Sequence, residues 1–208
     1  VFRGDIGETL GFAVPKGARA CCYIWTTTPW TLPSNMALAV GGEIQYSAVY
    51  DEKAKEVAIV ASSLRETLFP PLKAGGEAES TLRVLAEFPG SKLVGLNYEP
   101  FFSYFESERE NNAFQIYEAE FVSAEEGTGI VHLASFGEED LGVFKKHDIT
   151  VVDTLDEDGR FLDTVPDLAG TYFKEADAKV IAALKKNGLL VAHRTIEHSY
   201  PFCWRTDT

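Results

Sequence analysis

Proline, glycine and charged turns cut the N-terminal half of this chain into short apolar runs, and that punctuation reads as strands rather than long helices. Residues 18–25 (ARACCYIW) are apolar and rich in strand formers, and the polar, proline-bearing stretch TTTPWTLPSN separates them from 36–40 (MALAV). Residues 43–50 and 56–61 flank the charged turn Asp51-Glu52-Lys53 and predict a hairpin. Ser63-x-x-Glu66 has the capping-box pattern of a short helix that Pro70-Pro71 must end. A Gly- and Glu-rich loop over 73–80 follows, then a strand over 81–88 and an exposed polar insertion over 106–112. A further strand is expected over 113–122.

The second half mixes periods. Glu138–His147 predicts a short helix, and Asp156-Glu157-Asp158-Gly159 a hairpin turn within 151–162. Residues 174–187 make the best helix: Val180, Ile181 and Leu184 share a face, and Gly188 sits where a C′ glycine belongs. No repeat or dividing linker interrupts the chain. These features together predict one domain over 1–208, α+β, with a β-barrel-like core and peripheral helices.

Composition narrows the function. Lys plus Arg number 19 against 32 Asp plus Glu, a net charge of −13. Gripping nucleic acid by its phosphates alone draws on clustered Lys and Arg, which are few and scattered here. No apolar run reaches the roughly 18 residues of a membrane span, and VFRGDIGETLGF lacks the order of a signal peptide. Three cysteines are too few for a disulfide framework, and Cys21 and Cys22 read as small buried hydrophobes, which fits a reducing, cytoplasmic setting. A chain beginning at Val1 rather than Met is expected to be part of something longer.

Three segments carry candidate chemistry. Trp25-Thr26-Thr27-Thr28-Pro29-Trp30-Thr31-Leu32-Pro33-Ser34-Asn35 sets hydroxyls and methyls on both faces of a strand end stiffened by prolines; its bland alternative is a Thr-rich edge strand entering a turn. Gly127-Thr128-Gly129 permits a tight turn and a close approach, and leads through a strand to His132 and on to Asp140. His132 and Asp140 suit proton transfer or metal binding, while Glu138 and Glu139 read as the acidic first turn of a helix. His193, His198 and Cys203 have zinc-like spacing but supply only three of the four ligands a structural site needs. No GxGxxG, P-loop or GxSxG pattern appears in a fitting context.

WTTTPWTLPSN, GTGIVHLASFGEED and HSYPFCWR, in that order, resemble the editing domain of isoleucyl-tRNA synthetase, the connective polypeptide 1 inserted in that family's nucleotide-binding catalytic domain. GSKLVGLNYEPFFSYF resembles the family's segment between the site motifs, so the resemblance covers nearly the whole chain. Thr-Thr-Thr-Pro-Trp-Thr points to the isoleucyl enzymes, whereas valyl and leucyl relatives carry Thr-Thr-Arg-Pro. The chain lacks the ATP-site signatures HIGH and KMSKS, so the resemblance implies an excised domain that makes no aminoacyl-tRNA and ends near the return to the catalytic body.

The implied activity is hydrolysis of mischarged Val-tRNA(Ile), with valyl-adenylate a second substrate when tRNA is present. The physical need is that one methylene is worth only about 1–3 kcal/mol, a limit for which this same family is the standard illustration. The implied partners are the valine-bearing 3′ end of tRNA(Ile) and the rest of the synthetase chain, with no membrane and a monomeric state. No cofactor or metal is implied here, ATP being used elsewhere in the parent enzyme. By resemblance Asp140 binds the substrate α-ammonium, and Thr26, Thr27 and Thr28 line the pocket and hold substrate and water. His132 bars the extra methylene of isoleucine, Trp25 and Thr31 shape the side-chain pocket, Asn35 lies close by, and Tyr200 belongs to the rim.

The sequence departs from the family pattern in the stretch Glu106 to Asn112, a local variation, and in two places within these motifs. The loop between His132 and Asp140 is one residue shorter, with Ser135 alone before Phe136-Gly137. Phe202 replaces a usual histidine. Two rival readings follow from these residues: a module that only binds the aminoacyl-adenosine end, and a metal-dependent hydrolase using His132, Asp140 and His147.

Overall fold

The structure, a computed structural model, describes residues 1–69 and 82–193. Among these residues seven strands form: β1 (Arg19–Cys22), β2 (Ala37–Val40), β3 (Gln45–Asp51), β4 (Glu56–Ala61), β5 (Leu82–Pro89), β6 (Ile116–Glu118) and β7 (Ile130–Leu133). Four helices accompany them: α1 (Gly7–Leu10), α2 (Arg65–Leu68), α3 (Glu138–His147) and α4 (Phe173–Lys186). No described helix is long and apolar enough to cross a membrane.

The strands make two sheets. One runs β1-β4-β3-β5, with β1 parallel to β4 and the other neighbours antiparallel; the second runs β6-β2-β7, with β2 parallel to β6 and antiparallel to β7. The expected α+β composition is present, but the described strands do not close into a barrel. The two central strands explain why alternation is weak in the sequence. Every residue of β2 and of β4 is buried, so both read as continuous apolar runs apart from Glu56. Glu56 is held by Arg19 and by the Tyr23 hydroxyl at 2.7 Å, which answers the cost of burying its charge.

A compact junction joins the sheets. The Tyr46 hydroxyl on β3 donates to the Gly129 carbonyl at 2.6 Å, and the Ala61 N–H at the end of β4 donates to the Thr128 carbonyl at 2.8 Å. Gly129 has φ of 74°, and a Cβ there would lie 2.4 Å from the Ala61 Cβ. The Gly-Thr-Gly segment therefore serves the join between β4 and β7.

Two apolar clusters fill the interior. The larger lies around the sheets, with Tyr46, Phe88, Phe114, Ile116 and Leu133 among its fully buried members. The smaller gathers Phe161, Val165 and Leu168 beneath Ala176, Val180 and Leu184 of α4, and Leu32 joins it from the threonine–proline segment. Each Val, Leu, Ile or Phe side chain among them, once fully buried, contributes about 1.5–3 kcal/mol. Gly188 (φ 66°) ends α4 as expected: its N–H and that of Leu189 return to the carbonyls of Lys185 and Leu184 at 3.2 and 2.9 Å.

Several expectations change in detail. The pattern at Ser63 makes no cap; its hydroxyl donates instead to the Ala124 carbonyl, and a turn of 3-10 helix over Ser62–Leu64 leads into α2. The strand expected over 113–122 shrinks to Ile116–Glu118. The 151–162 hairpin keeps its turn, with the Asp156 carboxylate accepting from Asp158 and Arg160 N–H, but only isolated bridges such as Leu155 to Phe161 form. The 106–112 insertion is a 3-10 helix over Glu106–Asn111 whose Arg109 lies over the Phe114 ring and donates to the Tyr98 carbonyl. Pro70, Pro71 and the 73–80 loop lie outside the described residues.

Gly129→Ala should destabilise the fold by about 2–4 kcal/mol, because the new methyl meets both a positive φ and the Ala61 side chain. Urea unfolding monitored by tryptophan fluorescence would check this, and an unchanged midpoint would contradict the role given to the junction.

Candidate functional site

The threonine segment leaves the extended path at Thr26. The Thr28 N–H donates to the Thr26 hydroxyl oxygen at 3.0 Å, and the two hydroxyls lie 3.3 Å apart. A 3-10 helix over Pro29–Ser34 follows, with Pro29 in its first turn, where its missing N–H costs nothing. Thr31 closes the helix onto Thr28: both its N–H (3.0 Å) and its hydroxyl (2.8 Å) donate to the Thr28 carbonyl.

This short helix is held from outside. The Trp30 N–H donates to the Asp177 carboxylate on α4 at 2.8 Å, and the Trp30 ring packs between Phe136 and Phe173, each 4.7 Å away between centroids. The buried Ser34 and Thr154 hydroxyls meet at 2.8 Å. Burial raises the Asp177 carboxyl, and the Trp30 N–H opposes that shift.

The second segment comes to the first along β7. Its Leu133 carbonyl accepts from the Met36 N–H at 3.0 Å, which brings the end of the threonine segment beside the strand. His132 lies 2.9 Å through Nε2 from the Thr31 hydroxyl. Trp25, 45% exposed, rests against Gly127, where a Cβ would come within 3.1 Å of the indole. The structure thus brings together Thr26, Thr28, Thr31 and His132, with Trp25 set against Gly127 and Thr27 exposed between its neighbours.

Asp140 occupies the first turn of α3 with Glu138 and Glu139, facing the helix N-terminus favoured by anionic groups. Its Oδ2 accepts from the Ala134 N–H at 2.9 Å, which fastens the carboxylate to the chain two residues beyond His132. Burial raises its carboxyl, the Ala134 N–H lowers it, and nearby Glu139 raises it further. The half-buried carboxylate, with one oxygen engaged, is suited to accept a cationic partner.

Asn35 has a structural task. Its amide donates to the Ala37 carbonyl at 2.9 Å and accepts from the Tyr98 hydroxyl at 2.6 Å. Tyr200, His198 and Cys203 lie outside the described residues. His147 sits at the far end of α3 from Asp140, stacked on Tyr117, and among the described residues no three His, Cys, Asp or Glu side chains gather as a metal site. That removes the metal grouping of His132, Asp140 and His147. Asp177, Thr154 and Phe173 were not singled out by the sequence; Asp177 lies three and seven positions before Val180 and Leu184, an acid on the buried face of α4.

Two concavities among the described residues lie away from these segments. One of about 880 Å³ runs along residues 1–20, and one of about 300 Å³ lies between Phe102, Tyr104 and the C-terminal half of α4. Neither is lined by the threonine segment or by β7. The convergence of polar contacts marks the candidate site.

No family model matches the chain. Over 205 residues, 98% of the chain, it is 47% identical to an isoleucine–tRNA ligase of Bdellovibrio bacteriovorus. It is 40% identical over 210 residues to the cytoplasmic isoleucine–tRNA ligase of Saccharomyces cerevisiae. The chain spans only 19% of the length of each of these relatives. A solved structure described as "The crystal structure of GlLeuRS-CP1" superposes with a TM-score of 0.66 at 17% identity, covering 92% of this chain and 91% of that one, which shows a shared fold.

Burial holds the His132 imidazole down from 6.5 to about 4. The unfolded chain therefore takes up a proton before the folded one as pH falls through that window, and the folded state loses stability on the order of 3 kcal/mol by about pH 4. Urea unfolding of wild type and His132→Gln between pH 7 and 4 should show this loss in the wild type and its absence from the variant. Equal slopes in both would place the acid sensitivity elsewhere.

Proposed function

We propose that this chain, which belongs to the isoleucyl-tRNA synthetase family as a segment of it, hydrolyses the ester of mischarged Val-tRNA(Ile). The observation that carries this reading is the meeting of the WTTTPWT segment with the strand that bears His132, made through the Thr31–His132 contact. The fold shared with the solved CP1 structure supports it.

In this reading the α-ammonium of the esterified valine meets the Asp140 oxygen that Ala134 leaves free. The bound cation offsets the burial that raises the empty carboxyl, so binding favours the ionised form. Thr26, Thr27 and Thr28 supply hydroxyls that hold the ester and a water, and Trp25 flanks them. An aminoacyl ester is already activated, so orienting water and steadying the developing oxyanion supply much of the rate. His132 is neutral and nine-tenths buried, and it serves by its bulk against the extra methylene of isoleucine. Valyl-adenylate carries the same ammonium and side chain and is a second substrate of the same pocket. The remainder of the synthetase chain supplies most contacts to tRNA phosphates, since a net charge of −13 offers little attraction to them. The whole chain 1–208 acts as this single editing unit, without a metal or cofactor, as a cytoplasmic monomer.

Deacylation of Val-tRNA(Ile) and Ile-tRNA(Ile) by the chain at high concentration tests the proposal. The expected outcome is turnover of the valyl ester and sparing of the isoleucyl ester. Asp140→Ala should reduce the rate by about a hundredfold or more, as expected when a buried charge loses its partner. His132→Ala should admit the isoleucyl ester. Binding without turnover would leave only a docking module, and full activity of Asp140→Ala would remove the ammonium anchor.

A further inference from the structure

We propose that Thr31 is a positioning residue for His132, fixing the imidazole as its Nε2–H tautomer with a bare, acceptor-only Nδ1. The Thr31 hydroxyl has a single hydrogen, and it lies 2.8 Å from the Thr28 carbonyl and 2.9 Å from His132 Nε2. A carbonyl oxygen cannot donate, so the hydroxyl hydrogen goes to Thr28. The remaining short contact is satisfied only if Nε2 carries a hydrogen and donates it to the Thr31 oxygen. The opposite tautomer would set two oxygens face to face at 2.8 Å without a hydrogen between them. It would also leave a buried N–H at Nδ1 with no partner, whereas the assigned tautomer leaves only a lone pair there.

The Thr28 carbonyl is itself well fixed. It accepts both the N–H and the hydroxyl of Thr31. The relay therefore runs from a backbone oxygen in the threonine motif, through one hydroxyl, to the tip of the imidazole. Its consequence is directional. Nε2 is engaged with Thr31, while Nδ1, buried and unpartnered among the described residues, presents only a lone pair. Ring orientation and tautomer are set together, so the bulk of His132 is held at one place.

The tautomer is independent of the proposed hydrolysis, whereas the effect on selectivity rests on it. Long-range proton–nitrogen correlation spectra of the imidazoles, with the His132 signals identified by their loss in His132→Gln, read the tautomer directly. The wild type should show a protonated Nε2 and an unprotonated Nδ1. Thr31→Ser should keep that pattern, and Thr31→Val, similar in shape but lacking the hydroxyl, should give mixed or averaged tautomers. In the same variants the preference for Val-tRNA(Ile) over Ile-tRNA(Ile) should fall about tenfold with Val and survive with Ser, the effect of one lost hydrogen bond. A protonated Nδ1 in the wild type, or an unaltered spectrum in Thr31→Val, would overturn the proposal. The expected spectra with no deacylation by any form would leave the positioning role standing and remove the hydrolytic reading.

Discussion

The candidate site depends on holding a peptide that cannot hold itself. Residues Pro29–Ser34 form a 3-10 helix with a proline inside it as well as one at its start, so few internal hydrogen bonds are available. Its shape comes from tertiary contacts: the Asp177 carboxylate on the Trp30 N–H, the two phenylalanine rings about the indole, and Leu32 sunk into the smaller apolar cluster. One side of the segment is thereby bound to α4 while its other side meets β7. Helix α4 supplies no proposed contact to substrate, yet it sets where the threonines stand.

The junction at Gly129 acts on the opposite flank. Tyr46 and Ala61 fix the start of β7 against the first sheet, and Met36 and Asn35 fix its end against β2. His132 lies between those two fastenings. Its ring accordingly sits in a part of the molecule with little slack, which is the setting a steric filter needs if one methylene is to decide admission.

Much of this was legible in the sequence because short-range rules governed it. The bounds of α3 and the glycine stop of α4 follow from capping and periodicity, and the β3–β4 hairpin follows from its charged turn. The threonine and histidine segments stood out by resemblance, and the structure brings them together. Other features were hidden because they depend on distant partners. Asn35, expected close to the site, has its amide engaged by Ala37, Tyr98 and the Leu133 carbonyl beside His132. Asp177 sits in a helix rich in charges, and only its place in line with Val180 and Leu184 sets it apart. Ser63 had the letters of a cap but found the Ala124 carbonyl instead. The barrel-like expectation gave way to two separate sheets, one of four strands and one of three, among the described residues.

The bond from Ala134 N–H to the Asp140 carboxylate carries a consequence for how this loop tolerates change. The carboxylate is gauged from the strand by its own side chain, not by counting residues along the connection. A change of path through Ser135 and Phe136 leaves the acid in register so long as the Ala134 amide still meets its carboxylate.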